Sequence, residues 1–431
     1  MNIGVVSLGC AKNQVDLEEI LFYLKINGFE VVSDPYLADC IIINTCGFID
    51  SAKKESIDAI LDMAKFDKPI IVSGCLATRY LDELKKEMPE VSLFLPLEDY
   101  SKIGEKLEEL FKDKKFVGKI DPTKRLFISP KLEAYLRISD GCNNFCSFCA
   151  IPHIRGRFKS VPFDTLKKEI EDLDENGVRS LTVISQDTSM YGKDINLTLV
   201  DLVKEIAKHP NFDFVKLMYL YPDEVTDELI SLFKDSNLTP YFDLPVQHFS
   251  DHVLRRMARR GSRADIKNLI NKFRNEVKDP ILRTTVMVGF PGETDEDIDI
   301  LLSDIQEIGF DHLGCFIYSP EENTPAANFK DQIDEKVKIE RYKKVMKLQK
   351  KISLRKNKER IGKEYKCLIT GYDKNTFSYT GISNIFATDD IDGSLQIFSK
   401  EELNVGSLVT IKIVNAFYYD LQAEVVNILR K

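Results

Sequence analysis

Several features that would mark other classes of protein are missing from this 431-residue sequence. No apolar run approaches the roughly 20 residues that a membrane-spanning helix needs, so no membrane segment is expected. The N-terminus carries neither a basic segment nor a cleavage site, which indicates a cytoplasmic protein without a secretory signal. The formal charge of −9 argues against nucleic-acid binding through the overall field of the molecule, although a local basic patch stays open.

What is present indicates a globular protein of several domains. Hydrophobic residues make up 43% of the chain and charged residues 30%, which is typical of folded proteins. A chain of 431 residues is too long for one ordinary core, so two or three domains are expected. Nine cysteines in a chain without an export signal favour metal or redox chemistry over disulfides.

The N-terminal segment, 1–115, alternates apolar strands with helical patterns. The predicted elements are strands 3–8, 41–45 and 70–73, with helices near 14–27, 51–65 and 80–88. This alternation predicts an α/β fold with a doubly wound parallel sheet. A cysteine closes each apolar run (Cys10, Cys46 and Cys75), at the carboxyl ends of strands where such sheets gather ligands. We therefore expect three thiols that are far apart in sequence to converge.

The central segment, 128–360, contains six strand-like runs separated by helical patterns. The predicted strands are 132–139, 180–185, 214–220, 240–246, 282–289 and 312–319, and the predicted helices are 163–176, 197–208, 224–235, 251–276, 294–308 and 335–358. Six strand–helix units predict a partial (β/α)6 barrel with its active site at the carboxyl ends of the strands. A polar, lysine-rich stretch at 112–125 reads as the linker before it. Residues 363–431 carry short strands and turns, which predict a small all-β barrel.

A second cysteine set, Cys142, Cys146 and Cys149, forms a C-x3-C-x2-C motif directly after the first of the six strands. Thiolates are soft ligands that favour zinc or iron–sulfur clusters. A zinc knuckle or simple buried thiols are the alternatives, with His153 as the nearest candidate for a fourth zinc ligand, but the spacing lacks paired C-x2-C arms. A complete structural site takes four protein ligands, so three cysteines leave one coordination position open for chemistry.

This motif, in this position, resembles the radical S-adenosylmethionine (SAM) superfamily. The resemblance implies that the three cysteines hold a 4Fe–4S cluster, which binds SAM at its open iron and generates a 5′-deoxyadenosyl radical. The role of the protein is then to bind and orient the cofactor and the substrate and to exclude water from the site. The candidate SAM-pocket residues are Phe148, Gln186, Asp187, Gly289, Gly292 and Glu293. Gln186 and Asp187 stand where many superfamily members have Gly-Gly-Glu, and the Gly-Phe-Pro-Gly-Glu loop at 289–293 would by itself mark only a turn.

The N-terminal triplet, the radical core and the terminal β-module together resemble the methylthiotransferase family. That resemblance implies a second 4Fe–4S cluster on Cys10, Cys46 and Cys75, linked to sulfur supply, and a C-terminal TRAM domain for substrate. The expected domains are a methylthiotransferase N-terminal domain at 1–115, a radical SAM domain at 128–360 and the TRAM domain at 363–431. The remaining cysteines are predicted to pack in the interior; they are Cys40, Cys315 and Cys367.

Within that family the motifs at 7–13, 44–53, 74–77, 259–262 and 318–322 resemble the RimO type. This implies methylthiolation at the β-carbon of an aspartate in the ribosomal protein uS12, free or within the small subunit, with separate sulfur and electron donors. The alternative of the same class is a tRNA adenosine methylthiotransferase, and an iron–sulfur electron carrier is the alternative of another class. Residues 363–431 carry seven Lys or Arg against nine Asp or Glu, whereas a tRNA-binding module should be basic. We therefore do not expect tRNA as the substrate.

Overall fold

The computed structural model describes residues 1–128, 132–235, 238–388 and 391–431. It divides into two compact units. The first unit comprises Met1–Ser129, Tyr135–Asp172 and Ser319–Ala327, and the second comprises Pro130–Ala134, Leu173–Tyr318 and Asn328–Lys431. Within the described residues, no helix combines the length and the apolar character that crossing a membrane requires.

A five-stranded parallel sheet forms the core of the first unit. Its strands are β1 (Asn2–Ser7), β2 (Glu30–Val32), β3 (Cys40–Thr45), β4 (Ile70–Gly74) and β5 (Leu93–Leu95). The helices around it are α1 (Ala11–Ile26), α2 (Asp50–Ala64), α3 (Cys75–Arg79), α4 (Leu81–Glu87) and α5 (Ile103–Leu110). The order β2-β1-β3-β4-β5 confirms the predicted doubly wound sheet, and β3 is buried along its whole length, as an inner parallel strand should be.

The central cysteine set lies in a second part of the first unit, after β6 (Glu133–Arg137). Two short antiparallel strands, β7 (Ser139–Asp140) and β8 (Lys159–Ser160), close the base of the loop that carries the three cysteines. The helices α6 (Ile151–Ile154) and α7 (Phe163–Glu175) follow the loop and its closing strand. The cysteines are therefore held in a short loop with a hydrogen-bonded base.

The second unit contains the strands predicted for the partial barrel. They are β9 (Ser180–Ile184), β10 (Phe214–Leu217), β11 (Leu238–Gln247), β12 (Ile281–Val288) and β13 (His312–Ile317). Their helices are α8 (Leu199–Ile206), α9 (Asp227–Asp235), α10 (Asp251–Arg256), α11 (Arg263–Glu276), α12 (Asp295–Ile308) and α13 (Glu335–Glu359). Neighbouring strands pair in parallel, and the six-stranded order β13-β12-β11-β10-β9-β6 confirms the predicted succession of strand–helix units.

One predicted helix, 251–276, is two helices in the structure. The chain between α10 and α11 contains Ala258 at φ 55° and Gly261 at φ 80°, and right-handed helices do not include such positive φ values. Ser262 then begins α11 with a capping box, because its hydroxyl accepts from the backbone N–H of Asp265 while that carboxylate accepts from the backbone of Ser262. The apolar residues keep a helical spacing across this break, so the spacing alone predicted one continuous helix.

The C-terminal part of the second unit is a small closed barrel, as predicted. Its strands are β14 (Glu364–Asp373), β15 (Ser378–Ser383), β16 (Leu395–Phe398), β17 (Leu408–Ala416) and β18 (Leu421–Arg430), in the order β14-β15-β16-β18-β17. Its core contains Ile369, Ile397 and Val409, all fully buried. A closed barrel of this size has no room inside for more than its own side chains, so any partner must bind to its outer surface.

Candidate active site

The N-terminal cysteine set (Cys10, Cys46 and Cys75) lies at the carboxyl ends of three neighbouring strands. Cys10 caps α1 after β1, Cys46 follows β3, and Cys75 is the first residue of α3 after β4. Because these strands are adjacent in the sheet, the three cysteines are brought together. The thiols of Cys10 and Cys75 both donate to the side-chain oxygen of Asn13, at 3.7 and 3.5 Å.

Glycines allow this close approach of three backbone segments. A Cβ atom on Gly9 would lie 3.1 Å from the Cβ of Cys46, and Gly9 has a φ of +94°. A Cβ atom on Gly74 would lie 2.6 Å from the carbonyl oxygen of Thr45, at a φ of +92°. Both positions therefore require glycine for conformational and steric reasons, and the glycine before two of the cysteines is what lets the thiols converge.

The donor chemistry of this set suits an iron–sulfur cluster better than one metal ion. Among the residues that the structure describes, no three His, Cys, Asp or Glu side chains are grouped so that they could bind a single metal ion. Each cysteine of a 4Fe–4S cluster binds a different iron atom, so its sulfurs need not converge on one point. Burial raises the pKa of Cys46, and it raises the pKa of Cys75 to about 12. Binding a cluster there would therefore release protons.

The central cysteine set (Cys142, Cys146 and Cys149) lies in a loop whose backbone is held at several points. The backbone N–H of Cys142 donates to the carbonyl oxygen of Gly156 at 3.2 Å, and the backbone N–H of Cys149 donates to the carbonyl oxygen of Cys146 at 3.0 Å. The N–H of Asn144 donates to the sulfur of Cys142 at 3.5 Å. A backbone donor aimed at a sulfur favours the thiolate form, which is the form that binds metal.

The predicted SAM-pocket residues are distributed over both units. Phe148 belongs to the first unit and is half-buried within the cysteine loop. Gln186 and Asp187 follow β9 in the second unit, where the carboxylate of Asp187 accepts from the hydroxyl of Ser189 at 2.9 Å. The 289–293 loop follows β12. Each of these second-unit candidates is therefore at the carboxyl end of a barrel strand, where the fold places ligands.

Protein contacts hold the side chain of Glu293 in place. Its Oε1 accepts from the backbone N–H of Gly289 at 2.8 Å and from Nη1 of Arg341 at 2.8 Å, and its Oε2 lies 3.5 Å from Nε2 of His248. All of these groups are buried. The carboxylate thus closes the 289–293 loop on itself and ties it to α13, so Glu293 serves to shape this loop.

Backbone strain marks two further strand ends of the second unit. Tyr219, just after β10, has a φ of 60°, and Gln247, the last residue of β11, has a φ of 69°. Non-glycine residues with such values are uncommon and cluster at functional sites. The backbone N–H of Tyr219 donates to the carboxylate of Asp243 at 3.0 Å, which in turn pairs with Arg283 at 2.7 Å. Arg283 therefore has a structural partner on the neighbouring strand.

Two of the three remaining cysteines have the environment predicted for packing residues, whereas Cys315 is only partly buried. Cys40 and Cys367 are fully buried in apolar clusters, and Cys315 lies on β13. Burial raises the pKa of all three thiols, to about 12 for Cys40.

Sequence reasoning missed two polar residues that link the cysteine sets within the first unit. Asn13 is fully buried in the first turn of α1, and its amide nitrogen donates to the carbonyl oxygen of Thr45 at 2.8 Å. Nη2 of Arg155 donates to the side-chain oxygen of Asn13 at 3.0 Å. These residues are 142 positions apart in the chain, so no local pattern could have joined them.

The chain is similar to known proteins over nearly its whole length. The family model for the Radical SAM superfamily matches residues 136–305, and that for Uncharacterized protein family UPF0004 matches residues 2–96. The chain is 43% identical to the ribosomal protein uS12 methylthiotransferase RimO of Geotalea uraniireducens over 98% of both chains. It is 40% identical to the protein of the same name from Caldicellulosiruptor saccharolyticus, over 99% of this chain and 100% of that one.

A solved structure shares the fold at low sequence identity. The radical S-adenosylmethionine methyltransferase TsrM from Kitasatospora setae, solved with cobalamin and a [4Fe-4S] cluster, matches with a TM-score of 0.56 and 13% identity. The match covers 75% of this chain and 76% of that chain. At this level of identity the likeness supports the fold alone.

The fold and the two cysteine sets, together with these matches, define a radical SAM methylthiotransferase whose cofactors are 4Fe–4S clusters and SAM. The relatives align end to end with this chain at 40% identity or more. The chain belongs to the family of ribosomal protein uS12 methylthiotransferases RimO. The alternative of a tRNA methylthiotransferase is not favoured by these relatives.

Proposed function

We propose that this enzyme converts a C–H bond at the β-carbon of an aspartate in ribosomal protein uS12 into C–S–CH3. The observation that carries the proposal is the end-to-end similarity to the RimO relatives, together with the presence of both cysteine sets at strand ends. In this reaction one SAM molecule supplies the methyl group and another supplies the radical.

The central cysteine set is our assignment for the radical site. Cys142, Cys146 and Cys149 would hold one 4Fe–4S cluster, which would supply the electron for the cleavage of SAM. In the first unit Phe148 would lie against the adenine. In the second unit the candidates for contact with SAM are Gln186, Asp187 and the 289–293 loop. In that loop the backbone at Gly289 and Gly292 would approach the cofactor, while Glu293 keeps the loop closed through Gly289 and Arg341.

The N-terminal cysteine set is our assignment for the sulfur-handling site. Cys10, Cys46 and Cys75 would hold the second 4Fe–4S cluster. Cys10 is exposed whereas Cys75 is buried, so one side of the site is open to solvent. That opening would let a sulfur donor reach the cluster while the buried side anchors it.

The substrate assignment agrees with the charge distribution of the second unit. Residues 363–431 carry nine acidic against seven basic residues, which suits a basic ribosomal protein. The helix α13 has the opposite character, because Lys343, Lys344 and Lys347 are exposed on it; ribosomal RNA is one polyanion such a surface could contact. We place the enzyme in the cytoplasm, acting on uS12 alone or in the small subunit, with an electron donor and a sulfur donor as further partners.

The two assignments are tested by replacing each cysteine set with alanine. Reconstituted enzyme is incubated without oxygen with SAM, a reductant and uS12, and both 5′-deoxyadenosine and the mass of uS12 are measured. Loss of the central set should abolish 5′-deoxyadenosine formation. Loss of the N-terminal set should leave SAM cleavage in place and stop the gain of methylthio mass. If the variant without the N-terminal set still thiolated uS12, that set would not have the proposed role in sulfur supply.

A matched control uses cysteines that the structure places in apolar packing. Cys40→Ala and Cys367→Ala should each bind as much iron as the original enzyme and should modify uS12 at a similar rate. If either substitution removes iron equivalent to one cluster, the assignment of the two ligand sets is wrong.

A further inference from the structure

Arg155 is a buried cation at the end of the segment that carries the central cysteine set. It lies six positions after Cys149 and directly after α6, and only 1% of its side chain is exposed. Its Nη2 donates to Asp16 at 2.6 Å, and its Nη1 donates to both carboxylate oxygens of Asp140, at 3.2 and 3.1 Å. An arginine stays charged at any attainable pH, so this position carries a permanent positive charge.

The same guanidinium also contacts the N-terminal cysteine set through one intermediate. Nη2 of Arg155 donates to the side-chain oxygen of Asn13 at 3.0 Å, and that oxygen is the atom to which the thiols of Cys10 and Cys75 donate. The turn before Arg155 packs in the same place, because Ala150 and Ile154 form one buried cluster with Cys75. All of these residues belong to the first unit.

Charges in this position act with little solvent screening. Arg155 and Asp16 are almost completely buried, and interactions between buried charges are stronger and less sensitive to salt than those at the surface. A positive charge beside a redox centre stabilises its reduced, more negative form, and a negative charge destabilises it. The ion pair of Arg155 with Asp16 therefore places charges of opposite effect next to the N-terminal cysteine set.

We propose that Arg155 is a positioning residue of the N-terminal cysteine site, which fixes Asn13 beside the cysteines and raises the reduction potential of the cluster bound there. The inference rests on the proposed function, in which that site holds a 4Fe–4S cluster. It goes further by assigning control of this cluster to a side chain that follows the central cysteine set in sequence. The two cysteine sets would then be coupled through one short segment, from Cys149 to Arg155.

The competing explanation is that Arg155 only holds the first unit together. Arg125 offers a matched comparison, because 1% of its side chain is exposed and it pairs with Glu18 and Glu169 at 3.5 and 3.1 Å. Removing Arg155 leaves Asp16 paired with Arg137 and leaves Asp140 partly exposed. Removing Arg125 strands two buried carboxylates, so it should destabilise the unit at least as much. Only the removal of Arg155 should alter the redox behaviour of the cluster.

The test uses the full-length chain in which Cys142, Cys146 and Cys149 are replaced with alanine, so that one cluster remains. After anaerobic reconstitution, its reduction midpoint is measured by electron paramagnetic resonance during a redox titration at pH 8.5. Arg155→Met should lower the reduced-to-oxidised ratio at the original midpoint about tenfold, which equals a shift of about 59 mV for one electron. Arg155→Lys, which keeps the charge, should leave the midpoint close to its original value.

Two further variants separate electrostatics from loosened structure. Asp16→Asn removes the opposite charge of the same ion pair and should raise the midpoint, whereas Arg125→Met should not shift it. Equal midpoints in all variants, or a fall in all of them, would overturn the inference. A parent protein that binds no iron would overturn this inference together with the ligand assignment under Proposed function. A parent cluster that is insensitive to Arg155 would overturn this inference alone.

Discussion

A methyl group added at Gly289 should destabilise the second unit more than one added at Gly292. Both glycines belong to the 289–293 loop and have similar backbone conformations, with φ of +73° and +80°. Alanine at either position therefore costs about 1–2 kcal/mol for the left-handed conformation alone. The two positions differ in what the new Cβ atom would meet, which makes them a matched pair.

At Gly289 the new atom meets the stem of a buried side chain. It would lie 2.9 Å from both Cβ and Cδ of Lys338 and closer still to Cγ, and Lys338 is 5% exposed on α13. At Gly292 it would lie 2.5 Å from Oδ2 of Asp331 and 2.7 Å from Cζ of Arg256. Those are the ends of flexible side chains, 50% and 30% exposed, which can move at little cost.

Overpacking at Gly289 should therefore cost about 1–3 kcal/mol more than at Gly292. That difference corresponds to roughly 2–12 °C in the thermal unfolding of a unit of this size, which calorimetry on the reconstituted enzyme resolves. Adding Lys338→Ala to Gly289→Ala should recover part of the loss, because Cγ and Cδ are removed while Cβ remains. An equal or larger loss for Gly292→Ala, or no recovery in the double variant, would refute the reasoning.

Three further substitutions test other parts of the second unit and of α1. Arg341→Met should lower the free energy of unfolding by about 3–5 kcal/mol, because it strands the buried carboxylate of Glu293. A decrease below about 1 kcal/mol in thermal unfolding would contradict this. Tyr241→Phe should cost about 1–3 kcal/mol, because the fully buried hydroxyl donates to Asp392, and an unchanged unfolding temperature would speak against that bond. Burial raises the pKa of Glu19 from 4.5 to about 7. The folded state therefore keeps a proton there that the unfolded state loses, and stability should fall as pH rises from about 4.5 to 7. Glu19→Gln should make the free energy of unfolding in guanidinium less dependent on pH across this range, and an unchanged dependence would count against the raised pKa.

Much of the fold could be predicted because it depends on local patterns. The inner strands of the first sheet are continuous apolar runs, and the structure has them at β1, β3 and β4. The strands β2 and β5 were not predicted, because each has only three residues and lies at an edge of the sheet. A segment that short carries too little periodicity to be distinguished from a loop.

The candidate site divides in the same way between local and distant information. The cysteines could be found because ligand spacing and strand ends are visible in the sequence. The link from Arg155 through Asn13 could not, because it joins residues 142 positions apart. The helix α13 shows a related limit, because Lys338 and Arg341 are buried against the 289–293 loop, while other basic residues of the same helix are exposed. A charged residue buried beside a specific partner looks the same in sequence as an exposed one.

The central claim is the identity of the substrate, and an anaerobic competition assay tests it most directly. Reconstituted enzyme, SAM and a reductant are given uS12, alone and within small subunits, together with bulk tRNA, and all products are analysed by mass spectrometry. We expect a methylthio group on an aspartate of uS12 and unchanged tRNA. A methylthio group on a tRNA adenosine, with uS12 unmodified, would contradict it.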